Sequence, residues 1–171
     1  EILPAFAQLS LQFAMHADLR FTDHKPRVAI LASKQSHCLF DLLSRWHSGE
    51  LPAEIVTVIN NHPDHASLVE HMGVPYLHLP VTPETKTTQE QAVLHALNEQ
   101  QVDLVVLARY MQILSPALVN AYQSRIINIH HSFLPAFIGA NPYRQAHDRG
   151  VKIIGATAHY VTEELDEGPI L

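Results

Sequence analysis

Asn128, His130 and Asp166 are an amide, an imidazole and a carboxylate, the three kinds of group needed to open a carbonyl centre. The amide donates to the oxyanion, the imidazole shuttles a proton, and the carboxylate orients or charges the shuttle. The first two sit in the run Asn128-Ile129-His130-His131-Ser132-Phe133-Leu134-Pro135, and the third in Leu165-Asp166-Glu167-Gly168-Pro169. Each residue alone has a structural alternative. His130, one of 13 histidines, could merely cap a buried strand. Asn128 could satisfy backbone groups, and Asp166 could hydrogen-bond its own turn.

Two other chemistries compete for these residues. His130, His131, His159 and Asp166 are all zinc-ligand types, but neighbours on a strand point to opposite faces, so His130 and His131 cannot easily share an ion. No metal is expected. Cys38, near a helix start, would need an activating base to act as a nucleophile, and a small core residue is the preferred identity.

The elements that must position the triad follow from hydrophobic patterning. Arg27 to Ala32, Glu54 to Asn60, Tyr76 to Leu79, Val102 to Leu107 and Arg125 to Ile129 read as strands buried in a parallel sheet. Helices are expected at Ile2 to Met15, Cys38 to Trp46, Asp64 to Met72, Thr87 to Gln100, Pro116 to Tyr122 (with Ser115 as N-cap) and around Tyr143 to Arg149. Lys152 to Val161 reads as one long strand. Strands alternating with helices imply an α/β fold: a Rossmann-like, open, mostly parallel twisted sheet with helices on both faces. Asn128 and His130 then share one face at a strand's C-terminal end, the edge where such sheets bind ligands.

Composition excludes several classes. A chain of 171 residues suits one domain that buries roughly two-thirds of its unfolded surface. Net charge of -6 without a basic block argues against a nucleic-acid partner. With Cys38 as the only cysteine, and neither a signal peptide nor a long apolar span, the reading is a cytoplasmic protein with no membrane partner. Charged residues make up 16%, below the usual share of about 25%, which suggests surface covered by other subunits or by missing segments; a homo-oligomer is expected. The first strand-to-helix turn, Ala32 to His37, has no glycine, which disfavours a pyrophosphate cradle.

The Asn128-to-Pro135 run, the segment Gly155 to Val161 and Leu165 to Pro169 together resemble the folate-dependent formyltransferase family, over about Pro26 to Leu171. His130 to Phe137, with Gly139-Ala140 and Pro142-Tyr143, is similar to its deformylase branch; the transferases typically carry proline in place of His131. The resemblance implies hydrolysis of 10-formyltetrahydrofolate to tetrahydrofolate and formate, with folate and water as partners and no separate cofactor. Asn128 would hold the formyl oxygen, His130 would pass a proton to the folate nitrogen, and Asp166 would orient His130 and help position water. Arg109, Met111, Gln112, Leu114, His131 and Thr162 would bind the substrate. The missing glycine loop suits an enzyme whose acceptor is water. A transferase with an amine acceptor and a non-catalytic folate-binding module are the alternatives. Residues 1–25 would be a helix and linker left from an N-terminal ACT regulatory domain, and 26–171 a catalytic domain truncated at its C-terminus.

Overall fold

The computed structural model describes residues 2–17, 25–139 and 141–171. Most of the expected linker from Arg20 to Pro26 lies outside these residues, as does Ala140. The apolar runs form strands β1 (Arg27–Ala32), β2 (Glu54–Asn60), β3 (Tyr76–His78), β4 (Leu104–Ala108), β5 (Ile126–His130) and β6 (Thr157–Tyr160). Helices α1 (Ile2–Gln12), α2 (His37–His47), α3 (Ala66–His71), α4 (Lys86–Glu99), α5 (Pro116–Ala121) and α6 (Pro142–Asp148) alternate with them. The strands join in the order β3-β2-β1-β4-β5-β6, all parallel except β6, which runs antiparallel to β5.

Both faces of β1 are buried because successive side chains leave a strand in opposite directions. Ala29 and Leu31 pack with Val93 and Leu97 of α4 and Leu118 of α5. Val28, Ile30 and Ala32 pack with Leu39 and Leu43 of α2 and Val69 of α3. Helices therefore cover both sides, as the expected Rossmann-like fold requires. Among the described residues, no helix is long and apolar enough to cross a membrane.

Strand order reverses between β1 and β4, so a crevice opens above their C-terminal ends. The loop leaving β4 walls this crevice and is tied at three points. Gln89 Nε2 donates to the Tyr110 hydroxyl at 2.9 Å, Met111 N donates to Ser33 Oγ at 3.0 Å, and Ser115 N donates to the carboxylate of Glu90 at 3.0 Å. Ser115 also caps α5 as expected, its Oγ accepting from Leu118 N at 3.4 Å.

One expected element is much shorter. Only Thr157–Tyr160 of the stretch from Lys152 to Val161 is strand. Pairing with β5 starts at Thr157 opposite His130, where β5 ends, so earlier residues have no partner strand. Ile153 and Ile154 are instead 70% and 58% exposed, and Gly155 lies against the Phe133 ring, where a Cβ would collide.

Candidate active site

The end of β5 delivers Asn128 and His130 to the same side, and the antiparallel β6 adds a second pair of residues. His159 lies directly opposite Asn128, and Thr157 opposite His130. Thr157 Oγ1 donates to Ser132 O at 2.7 Å and accepts from Leu134 N at 3.1 Å, folding the following loop back over the strand end. Ser132 Oγ then donates to Phe137 O at 2.8 Å. That same carbonyl lies 2.8 Å from His130 Nε2 and accepts its N–H.

Asp166 reaches the ring from the other side. It occupies the turn after β6 in a left-handed backbone conformation (φ 57°), which aspartate tolerates better than most residues. Its Oδ2 lies 3.3 Å from His130 Nδ1 and accepts from Gly139 N at 3.1 Å. The two side chains are only 5% and 7% exposed. His130 is thus held between two acceptors, a carbonyl and a carboxylate. The doubly protonated ring satisfies both.

His159 has the complementary arrangement. Nδ1 faces the Tyr160 carbonyl at 3.0 Å, which can only accept, so in the neutral ring Nδ1 carries the hydrogen. The Nε2 lone pair then accepts from Asn128 Nδ2 at 3.2 Å. This fixes the Asn128 amide and leaves its second N–H for the cavity. His159 Nε2 is also 3.7 Å from Asp166 Oδ1, too far for a hydrogen bond.

These groups open onto a cavity of about 690 Å³, a size suited to a small ligand. All nine site residues expected from the sequence line it: Asn128, His130 and Asp166, together with Arg109, Met111, Gln112, Leu114, His131 and Thr162. Leu107, Val119, Ile129 and Val161 add an apolar floor. Arg109 follows β4 with φ 58°, and its Nε is buried without a hydrogen-bond partner among the described residues.

Three features depart from the sequence reading or were missed by it. His130 and His131 do not diverge; their ring centroids are 5.4 Å apart and both line the cavity, because the pleat ends at His130. His131 also packs on Tyr143 of α6, at 5.2 Å, a residue sequence reasoning did not assign to the site. The residues alone mark His159 only as a competing metal ligand, and its place in the Gly155 to Val161 segment of the family resemblance is the signal that could have brought it to the site. Among the described residues no three His, Cys, Asp or Glu side chains gather as metal ligands.

The environment tunes two further groups. Burial, then the Arg109 and His130 charges, hold the His131 imidazole below the ordinary histidine value, with Asp166 opposing. Burial pushes the Cys38 thiol up although Arg109 pulls it down, so no thiolate nucleophile is favoured.

Comparison with known proteins agrees with this architecture. Residues 26–171 match the family model described as formyl transferase. The chain is 55% identical to a formyltetrahydrofolate deformylase of Synechocystis sp., covering 100% of this chain and 60% of that protein. A crystal structure of a formyltetrahydrofolate deformylase from Pseudomonas syringae superposes with a TM-score of 0.94 at 53% identity, covering 98% of this chain and 56% of the other. Glycinamide ribonucleotide transformylase 1 from Symbiobacterium toebii superposes with a TM-score of 0.81 at 36% identity, over 91% of this chain and 74% of the other. The chain thus spans little more than half the length of the deformylases it matches. From the match over residues 26–171 and the shared fold, the chain belongs to the formyl transferase family.

Proposed function

We propose that the protein hydrolyses 10-formyltetrahydrofolate to tetrahydrofolate and formate. The observation that carries this reading is the convergence of Asn128, His130 and Asp166 on one end of the cavity, with the Nε2 of His130 already occupied by Phe137 O. Both ring nitrogens meet an acceptor, but the 3.3 Å contact of Nδ1 with Asp166 is longer than the 2.8 Å one of Nε2 with Phe137 O, so Nδ1 is the nitrogen that transfers the proton. Water adds to the formyl carbon, and the free N–H of Asn128 donates to the developing oxyanion, an interaction worth about 3 kcal/mol. As the C–N bond breaks, His130 Nδ1 gives its proton to the leaving folate nitrogen. Asp166 holds the ring in place through the 3.3 Å contact with Nδ1.

The 109–115 loop, with Met111, Gln112 and Leu114 on the wall, suits a flat heteroaromatic head, because its backbone groups border an otherwise apolar slot. Thr162 closes the opposite side. No cofactor is required by this chemistry. Formate released in this way would supply purine and one-carbon metabolism. Residues 1–25 are read as the end of an ACT regulatory domain; the exposed Ile2, Leu3 and Leu9 on α1 support a covering segment.

Transfer to an amine is the second reading, favoured by the likeness to the transformylase. Against it stands the turn after β1, which lacks glycine and whose buried Ser33 Oγ is engaged by Met111 N. Incubating the full-length protein with 10-formyltetrahydrofolate in acceptor-free buffer should release formate. A strict requirement for an added amine would replace hydrolysis by transfer, and unchanged turnover in His130→Ala would remove His130 from the mechanism.

A further inference from the structure

Hydrolysis moves two protons in opposite directions, and the triad accounts for one of them. His130 gives a proton to nitrogen, so a different group must take one from the attacking water. Asp166 Oδ2 is engaged by Gly139 N and faces His130, its Oδ1 is turned toward the His159 ring at 3.7 Å in a side chain only 7% exposed, and the His159 Nε2 lone pair is taken by Asn128. His131 is different. Its ring nitrogens have no hydrogen-bond partner among the described residues, and its ring is clasped between those of His130 and Tyr143 on the cavity wall.

We infer that His131 is the general base that takes a proton from the water attacking the formyl carbon. The inference rests on the hydrolytic reading above and adds the residue that makes water the acceptor. The charged and titratable groups facing His131 are His37 at the start of α2, Arg109 after β4, His130 on β5, Tyr143 on α6 and Asp166 after β6. Burial and the three cationic or potentially cationic neighbours disfavour protonation, outweighing Asp166. The ring is therefore neutral near pH 7 and keeps a lone pair for the proton.

The step balances. The water oxygen forms the new C–O bond while one of its protons passes to His131, and the carbonyl π pair moves onto oxygen beside Asn128. Collapse re-forms the carbonyl and breaks the C–N bond; the electron pair goes to nitrogen, which takes the His130 Nδ1 proton. Formic acid leaves and ionises. His131 loses its proton to solvent and His130 regains one, restoring the starting state.

The test uses the full-length protein with His131→Ala and His131→Gln. Both should lower kcat for formate release by about 10²- to 10⁴-fold, the usual contribution of a general base, with KM little changed. The acid limb of the kcat–pH profile should flatten, and imidazole in the buffer should restore part of the His131→Ala rate. Unchanged affinity for a non-hydrolysable folate analogue would confirm an intact cavity. Wild-type kcat in both variants, or a loss confined to KM without imidazole rescue, would overturn the assignment. No formate from the unsubstituted protein would overturn hydrolysis itself and this inference with it, a result distinguishable from loss in the variants alone.

Discussion

The Nε2 atom of His130 lies 2.8 Å from the carbonyl oxygen of Phe137, seven positions downstream. A loop folded back by Thr157 and Ser132 thus holds Nε2 and leaves Nδ1 facing the carboxylate. The opposite nitrogen, Nδ1, meets Asp166 at 3.3 Å, and the buried pair is shielded from solvent screening.

Asp166→Asn keeps the size of the side chain and its ability to accept from Gly139 N, but removes the charge facing His130. Formate release should fall by at least about 10²-fold, the lower end of what a positioned proton shuttle contributes. Steady-state kinetics beside a circular-dichroism melt checks this; full activity in a folded variant would exclude the carboxylate from the mechanism.

His159→Leu leaves Asn128 Nδ2 without its acceptor and lets the amide turn. If the half-buried amide loses about 1–3 kcal/mol of its fixed orientation, the cost of an unpaired donor, kcat should drop roughly five- to 150-fold while KM changes little. His159→Gln, which can still accept, should recover part of the loss. Equal losses in both variants would show that hydrogen bonding to Asn128 is not what His159 provides.

How legible these residues were depends on how far apart in the chain their partners lie. β2 was readable to the residue because Ile55, Val56, Val58 and Ile59 make an apolar run broken only by Thr57, and every residue from Ile55 to Asn60 is buried. The triad residues and the loop after β4 were legible as motifs, and all of them reach the cavity. His159 was not, because its role comes from facing Asn128 across an antiparallel pair, and no local pattern encodes that register. The over-long last strand failed for the same reason: Ile153 and Ile154 have strand-like character but nothing to pair with. Strand alternation sets His131 opposite His130 because it is carried one residue past the end of β5, whereas the family resemblance places it among the substrate-binding residues, and it lines the cavity.

Gly168→Ala would push a Cβ into the carbonyl oxygen of Tyr160, at the point where Tyr160 N donates to Pro169 O at 2.9 Å. The turn that presents Asp166 is anchored there. The substitution should destabilise the fold by about 1–3 kcal/mol, as overpacking does, and reduce activity more than stability alone explains. Urea unfolding combined with kcat measured well below the transition checks both parts; a neutral variant would mean the turn is not anchored at this contact.

Arg109→Gln removes a positive charge that, after burial, holds the His131 imidazole down. Without it the folded-state value rises toward that of an ordinary histidine, so the acid limb of the kcat–pH profile should move to higher pH. The stability consequence has the same origin. Because folding depresses the His131 value, the unfolded chain binds that proton more readily, and stability should fall as pH drops below the ordinary histidine range. Arg109→Gln should soften that fall. A limb that stays in place or moves to lower pH would contradict the coupling.

In the proposed reaction water, and not an amine, takes the formyl group at a site built from Asn128, His130 and Asp166. Turnover of 10-formyltetrahydrofolate by the full-length protein in ¹⁸O-enriched water, with the formate analysed by mass spectrometry, addresses it most directly. Formate carrying one labelled oxygen, formed without any amine and lost in His130→Ala, is the expected result. No formate until an amine is added, with the formyl group then recovered on that amine, would contradict it.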